Sequence, residues 1–275
     1  MSSLTQNHLL SIHGFGEDSI FVGGAEGTML YFNGKTWNSM ETGGRWTFKG
    51  IWGTSPDNVY AVCTDGKILH YDGSIWSVEE TENLPPMTGI WGLSKDEIYA
   101  CSRIGKILRY DGDSWKFMLT GTDVDITRLW GVDRDNMYAI GYDGLTMKLE
   151  CDKWKRMTLI ANQEFYGLYG FGPKDIYIVG QDGIIYNYNG DRFVEMPSRT
   201  MEYFLDVWGP SSDMVFAVGD EGMIMYLDND QWIRIESNTK EFLTAIWGTS
   251  DENIYVVGDS GTILRWNGED WRLVE

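Results

Sequence analysis

Apolar residues along this chain come in short runs broken by turn residues, and the pattern returns with a fixed step. Residues 51–76 read IWGTSPDNVYAVCTDGKILHYDGSIW; close copies begin at Ile90, Leu129, Leu168, Val207 and Ile246, and a weaker one at Ile12. His13, Trp52, Trp91, Trp130, Tyr169, Trp208 and Trp247 each precede a glycine and lie 39 residues apart. A second aromatic series, Trp37, Trp76, Trp115, Trp154, Phe193, Trp232 and Trp271, keeps the same step, as do seven glycines from Gly27 to Gly261. Seven units of 39 account for 273 of the 275 residues. Self-similarity at a period near 40 marks a repeat architecture, and the content of the unit decides which.

Each unit predicts four short strands. In the copy at 87–118, the first strand is 87–92, the second 98–102, the third 106–110 and the fourth 115–118, with turns ending at Gly105 and Gly112. No 3.6-residue period survives in it, which argues against helix. An aromatic eight residues after each aromatic of the first series (Phe21, Tyr60, Tyr99, Tyr138, Tyr177, Phe216, Tyr255) predicts a belt between units. The position four before that series is apolar in all seven copies (Leu9, Phe48, Met87, Ile126, Phe165, Phe204, Leu243) and predicts core.

Four-stranded units can stack in an open line or close into a ring. An open array needs terminal units with polar outer faces. The first copy keeps Ile12, Ile20, Phe21 and Met29, and the last keeps Ile246, Ile254, Tyr255 and Ile263, so neither end is capped. The expected fold is all-β: a closed seven-bladed β-propeller with four antiparallel strands per blade, occupying residues 1–275 as one domain. The phase of the repeat puts no N-terminal strand into the last blade, so closure is expected from face packing, unless residues 2–7 pair in some further way.

The unit IWG-x-S-x-D-x-[VI]-Y-x-V-G-x-x-G-x-I-L-x-Y-x-G-x-x-W resembles the short repeats of bacterial β-propellers, including the YVTN type and the tandem repeats of large surface proteins. The likeness covers nearly the whole chain. It implies the fold and little about function, since such rings serve as adhesion modules, lectins, enzymes and scaffolds. A Trp-Asp ending the third strand and a repeated Gly-His are missing, so the interaction surface of WD-repeat proteins does not transfer.

Charge narrows the ligand classes. Forty-one acidic against twenty-two basic residues give a formal net charge of −19, a surface that repels nucleic acid and anionic lipid. The opening residues have no basic region followed by a long apolar stretch, and no segment has the roughly 20 apolar residues of a membrane helix. Cys63, Cys101 and Cys151 lie in unrelated contexts, which suits a reducing compartment. The expectation is a monomeric cytoplasmic propeller without membrane insertion.

Residues that break the internal rule are the candidate site. Two positions before the first aromatic series the copies read Ser11, Gly50, Gly89, Arg128, Gly167, Asp206 and Ala245, where Arg128 and Asp206 stand out near the channel. Arg103 and Ile104 replace the usual residues before Gly105, and Tyr142 is expected on the same face. Trp46, Tyr203 and Phe242, in the variable connections between blades, are expected as exposed partner anchors. A fourth-strand indole with a nearby Asp and Gly, as in Tyr71-Asp-Gly-Ser-Ile-Trp76, could instead stack a sugar, giving several pockets between blades, although the repetition of these rings favours packing. His8, His13 and His70 form no metal cluster, no nucleophilic triad assembles, and a carboxylate pair for glycoside or lyase chemistry is the weaker reading. No cofactor, metal or catalytic residue is expected. The leading reading is a non-catalytic scaffold that binds a protein partner through Trp46, Arg103, Arg128, Tyr142, Tyr203, Asp206 and Phe242; a carbohydrate-binding lectin is the alternative.

Overall fold

A computed structural model describes residues 4–81, 83–159 and 161–274. Among these, the strands form seven four-stranded antiparallel sheets, each built from one uninterrupted stretch of chain. The sheets span 9–39, 48–78, 87–118, 126–156, 165–195, 204–235 and 243–273, here blades 1 to 7. The first strand of each blade lies against that of the next, and the first strand of blade 7 against that of blade 1, so the ring is closed around a channel.

The aromatic-glycine pair explains why the unit repeats. In several seams the aromatic of one blade lies over the glycine of the next: a Cβ built on Gly170 or Gly248 would stand 2.8 Å from the indole of Trp130 or Trp208. Any side chain there would push the two blades apart. Trp52 covers Gly92, and Trp247 of the last blade covers Gly14 of the first. Trp91 uses its indole N–H instead, donating to the Gly131 carbonyl at 2.9 Å.

The predicted belt and core columns hold throughout. Phe21, Tyr60, Tyr99, Tyr138, Tyr177, Phe216 and Tyr255 are all buried, as are the seven apolar positions from Leu9 to Leu243. The fourth-strand rings press on this belt from the following blade. Phe21–Trp76, Tyr60–Trp115, Tyr177–Trp232, Phe216–Trp271 and Tyr255–Trp37 meet at interplanar angles of 81°, 74°, 82°, 89° and 76°. The indole nitrogens of these five tryptophans are buried without a conventional acceptor. Perpendicular aromatic rings place a donor edge over a π face, a weak substitute for the missing acceptor.

Closure follows the same rule as every other seam. Leu9, Ile20, Val22 and Leu30 pack with Ala245, Tyr255, Val257 and Ile263. Thr244 Oγ1 donates to the Leu9 carbonyl at 2.6 Å. Of the opening residues 2–7, Ser2 and Ser3 lie outside the described residues; Asn7 donates its amide to Thr28 of blade 1 at 2.9 Å. Blade 7 takes no strand from the N-terminal stretch that follows residue 3.

In every blade but the second, the turn between second and third strands is tight because two successive residues adopt positive φ, the twist that matches a hairpin. The second is the repeated glycine, Gly105 (φ +66°) in blade 3. The residue before it is Glu, Asp or Ser in the other blades, but Ile104 (φ +55°) in blade 3. A β-branched residue in the left-handed region is a genuine outlier, since its Cβ crowds the backbone.

Candidate functional site

Main-chain hydrogen bonds fix which loops share a face. In each blade the residue opening the second-to-third turn donates to the carbonyl just before the first strand: Arg103 to Pro86 in blade 3, Tyr142 to Asp125 in blade 4, Asp220 to Tyr203 in blade 6, Asp259 to Phe242 in blade 7. The same turns bond the long connections between blades, as Gly27 does with Trp46 and Gly144 with Gln163. The second-to-third turns and the variable connections therefore ring one end of the channel, here called the mouth.

Two cavities occupy the axis. One, of about 410 Å³, is lined by the residues two before the first aromatic series and by the aromatics themselves, including Arg128, Asp206 and Trp208. The other, of about 250 Å³, lies at the mouth and is lined by Leu10, Lys49, Thr88, Thr127, Leu205 and Thr244 with Arg103, Asp125, Arg128, Tyr142 and Tyr166. Lys49 and Arg128 border both.

Sequence reasoning passed over the column that builds the mouth cavity, three residues before the first aromatic series: Leu10, Lys49, Thr88, Thr127, Tyr166, Leu205 and Thr244. Its threonines belong to the frame. Thr88 Oγ1 donates to the Ile126 carbonyl at 2.5 Å, Thr127 Oγ1 to Phe165 at 2.7 Å and Thr244 Oγ1 to Leu9 at 2.6 Å, each reaching the next blade. Where threonine is replaced, the side chain is released from that duty and enters the mouth. Lys49 and Tyr166 are the polar replacements, and lining up this column against its threonines was the signal that could have found them.

Lys49 is half-buried, and its ammonium has no hydrogen-bond or ion-pair partner among the described residues. Burial, followed by the charges of Arg128 and Arg103, pushes it below the usual lysine range, while Asp259 opposes this. Arg128 donates through Nη1 to the Thr88 carbonyl at 3.1 Å and to the Thr127 carbonyl at 3.3 Å. Arg103 Nε lies 3.8 Å from Asp125 Oδ2, and Asp125 Oδ1 accepts from the Ile104 amide at 2.8 Å. Three cations thus converge on one side of the mouth of a strongly acidic protein.

The aromatic candidates sort differently. Tyr142 stands edge-on to Tyr166 at 6.2 Å, and Tyr166 stacks with Tyr203 at 6.2 Å, so the three form a continuous row from blade 4 to blade 6. Tyr166 donates its hydroxyl to Glu164 Oε2 at 2.6 Å, and Tyr203 accepts from Gln181 at 3.3 Å. Tyr203 is half-buried by this row rather than exposed as expected. Trp46 is also half-buried: its indole N–H donates to the Thr42 carbonyl of its own loop at 3.3 Å, and its ring packs on the core between blades 1 and 2. The turn at Gly43 and Gly44 lets that loop fold back under the ring. Phe242 is the one of the three that is exposed, at 44%.

Arg128 and Asp206 share the channel but form no ion pair. Asp206 turns to the backbone, accepting from Val207 at 3.0 Å and, across the seam, from Ile246 at 3.1 Å. Burial raises its pKa, and the charge of Arg128 and these two amides oppose the rise. Asp206 thus occupies a frame position, doing in the seam between blades 6 and 7 what threonine does elsewhere.

The histidines and the two buried cysteines are engaged structurally. His8 lies 2.8 Å from Asp259, His70 stacks on Tyr60 at 4.3 Å and bonds Asn58, and burial depresses the His13 pKa to about 4. Cys63 and Cys101 are buried, and burial pushes the Cys101 thiol up to about 11. Among the described residues no cluster of three His, Cys, Asp or Glu side chains could hold a metal.

No protein-family model matches the chain, and no curated protein matches it. Solved structures share its fold. A structure of YCF48 bound to D1 peptide aligns with a TM-score of 0.79 at 17% identity, covering 97% of this chain and 93% of that one. YCF48 from Cyanidioschyzon merolae gives 0.78 at 16%, covering 97% of both chains. The WD40 β-propeller domain of Doa1 gives 0.77 at 12%, covering 95% and 93%. At these identities the likeness establishes the seven-bladed fold alone.

Proposed function

We propose that this protein is a non-catalytic binding module, a rigid ring that holds a protein partner at its mouth. One observation carries the reading: side chains that depart from the repeat collect at a single end of the channel, on positions the frame does not need. Lys49 and Tyr166 replace bridging threonines, Arg128 stands in a column of mostly small residues, and Arg103 and Tyr142 top adjacent turns. The structure of YCF48 with D1 peptide supports the reading, because a propeller of similar size there holds a peptide. A mouth cavity of about 250 Å³ falls below the range of roughly 300–1,000 Å³ that encloses drug-sized ligands, and suits a side chain or chain end projecting from a larger partner.

The carbohydrate reading draws no support from the fourth-strand indoles. Trp76, Trp154, Trp232 and Trp271 are buried between blades, so their faces are occupied by protein.

Photo-crosslinking tests the proposal. A photoreactive phenylalanine analogue at position 242, on the mouth face, should capture a discrete partner from native extract. The same analogue at position 75, an exposed site in a third-to-fourth turn at the other end of the channel, should not. Equal capture from both positions would overturn the assignment of the mouth.

A further inference from the structure

Resting on the binding-module reading, we infer that the basic side of the mouth, Lys49 with Arg128 and Arg103, receives a carboxylate carried on a neutral-to-basic extended segment of the partner.

Three features of the structure favour an anion there. Lys49 is half-buried, and among the described residues its ammonium has no hydrogen-bond or ion-pair partner, with Asp259 acting on it only from beyond ion-pair distance; a buried ammonium is costly unless paired. Arg128 is held in place by two carbonyls through a single nitrogen, which leaves the rest of its guanidinium fork for a further acceptor. Arg103 adds a third positive charge close enough to depress the Lys49 ammonium further. Its partner Asp125 is shared between that guanidinium and the Ile104 amide, so one carboxylate neutralises at most one of the three cations.

The surroundings select what carries the carboxylate. The whole protein has a net charge of −19, and the blades facing the three cations place Glu164, Asp206, Asp220 and Asp259 around the same axis. A polyanion would be repelled over most of its length. A segment with one carboxylate and lysine or arginine nearby meets attraction twice: the carboxylate at Lys49 and Arg128, the basic residues at the acidic side. The row Tyr142, Tyr166 and Tyr203 runs between the two sides and offers an apolar surface for the chain that links them. A chain terminus and an Asp or Glu side chain present the same carboxylate chemistry.

Calorimetric titration with three synthetic peptides tests this. The first is acetyl-Gly-Lys-Ala-Lys-Gly-Ala with a free C-terminal carboxylate, the second its C-terminal amide, and the third the amide with the last Ala replaced by Glu. The free acid should bind at least tenfold tighter than its amide, and more weakly as salt rises. Tight binding of the Glu peptide as well assigns the source to either kind of carboxylate; its failure beside a binding free acid assigns it to chain ends. Lys49→Met and Arg128→Met should each cost the free acid about tenfold or more, while Arg272→Met, on the exposed fourth strand of blade 7, should leave it unchanged. Should the Met variants fold poorly, the wild type still answers: the Lys49 ε-methylene NMR signal should move with the free acid and stay still with the amide.

Equal binding of acid and amide, no binding of either at millimolar concentration, or acetate binding as tightly as the peptide would each overturn the inference. The two proposals fail separately. Crosslinking confined to position 242 with acid and amide binding alike removes the carboxylate and leaves the module; equal crosslinking at both positions with a Lys49-dependent acid removes the protein-partner face and leaves the anion site.

Discussion

The half of the mouth built by blades 2 to 4 and the half built by blades 5 to 7 rest on the same backbone and carry opposite charge. Among the residues at the channel end of the first strand and those opening the second-to-third turn, the first carries Lys49, Arg103 and Arg128 with Asp125, and the second carries Glu164, Asp206, Asp220 and Asp259 with no cation. Beneath both halves the belt and the apolar column are the same, and each half has an aromatic laid over the next blade's glycine, Trp52 on Gly92 and Trp208 on Gly248. The difference shows how a repeat separates its duties. Positions whose side chains bridge blades stay uniform, and positions released from bridging differ from blade to blade. Asp206 marks the border between these classes, charged yet consumed by two amides of the frame.

If the frame is indeed common to both halves, breaking it should cost the same on either side. Tyr99→Ala in blade 3 and Tyr255→Ala in blade 7 remove equally buried belt rings, so each should lower stability by about 3–5 kcal/mol, agreeing within about 1 kcal/mol, by urea unfolding. A much larger loss at Tyr255 would show that the seam between the last and first blades is special.

A smaller effect separates the frame from mouth charge by acidification. His13 of blade 1 stands between the two halves and remains neutral, its pKa depressed by burial to about 4 against an ordinary 6.5. The unfolded chain takes up this proton below pH 6.5 and the folded chain only near pH 4. The contribution is fully present above pH 6.5, falls as pH drops from 6.5 to 4, and amounts to no more than about 3 kcal/mol. His13→Phe should remove this part of the pH dependence in parallel unfolding curves while leaving mouth binding intact.

The smallest effect is a gain. Ile104 holds positive φ where Asp, Glu and Ser stand in other blades, and asparagine tolerates that region far better than isoleucine. Ile104→Asn should raise stability by about 1 kcal/mol by thermal or urea unfolding, with the Asp125 contact to its backbone amide unchanged. No gain would mean that the Ile104 side chain, 52% exposed, contributes packing that offsets its strain.

The ring itself was legible because its determinants are local and periodic: an aromatic beside a glycine, a belt ring eight residues on, a turn glycine every 39 residues. The mouth was legible in part. Arg103, Arg128 and Tyr142 are visible as departures from simple columns, and all three line it. Lys49 and Tyr166 stand out against the threonines of their column, but the column also holds Leu10 and Leu205, and why threonine belongs there becomes plain when its hydroxyl is seen to meet a carbonyl 38 residues later. Trp46 and Tyr203 look like exposed anchors in the sequence, but a carbonyl within the Trp46 loop and the neighbouring ring of Tyr166 draw them inward. These are contacts that no spacing along the chain encodes.

Because every sheet is one contiguous stretch and blade 7 meets blade 1 as any neighbours meet, the ring has no privileged starting point. Circular permutants that place the chain break in any of the long connections should assemble the same molecule. A break between blades 4 and 5 would set new termini beside the tyrosine row, turning the mouth into a place to graft a tethered peptide.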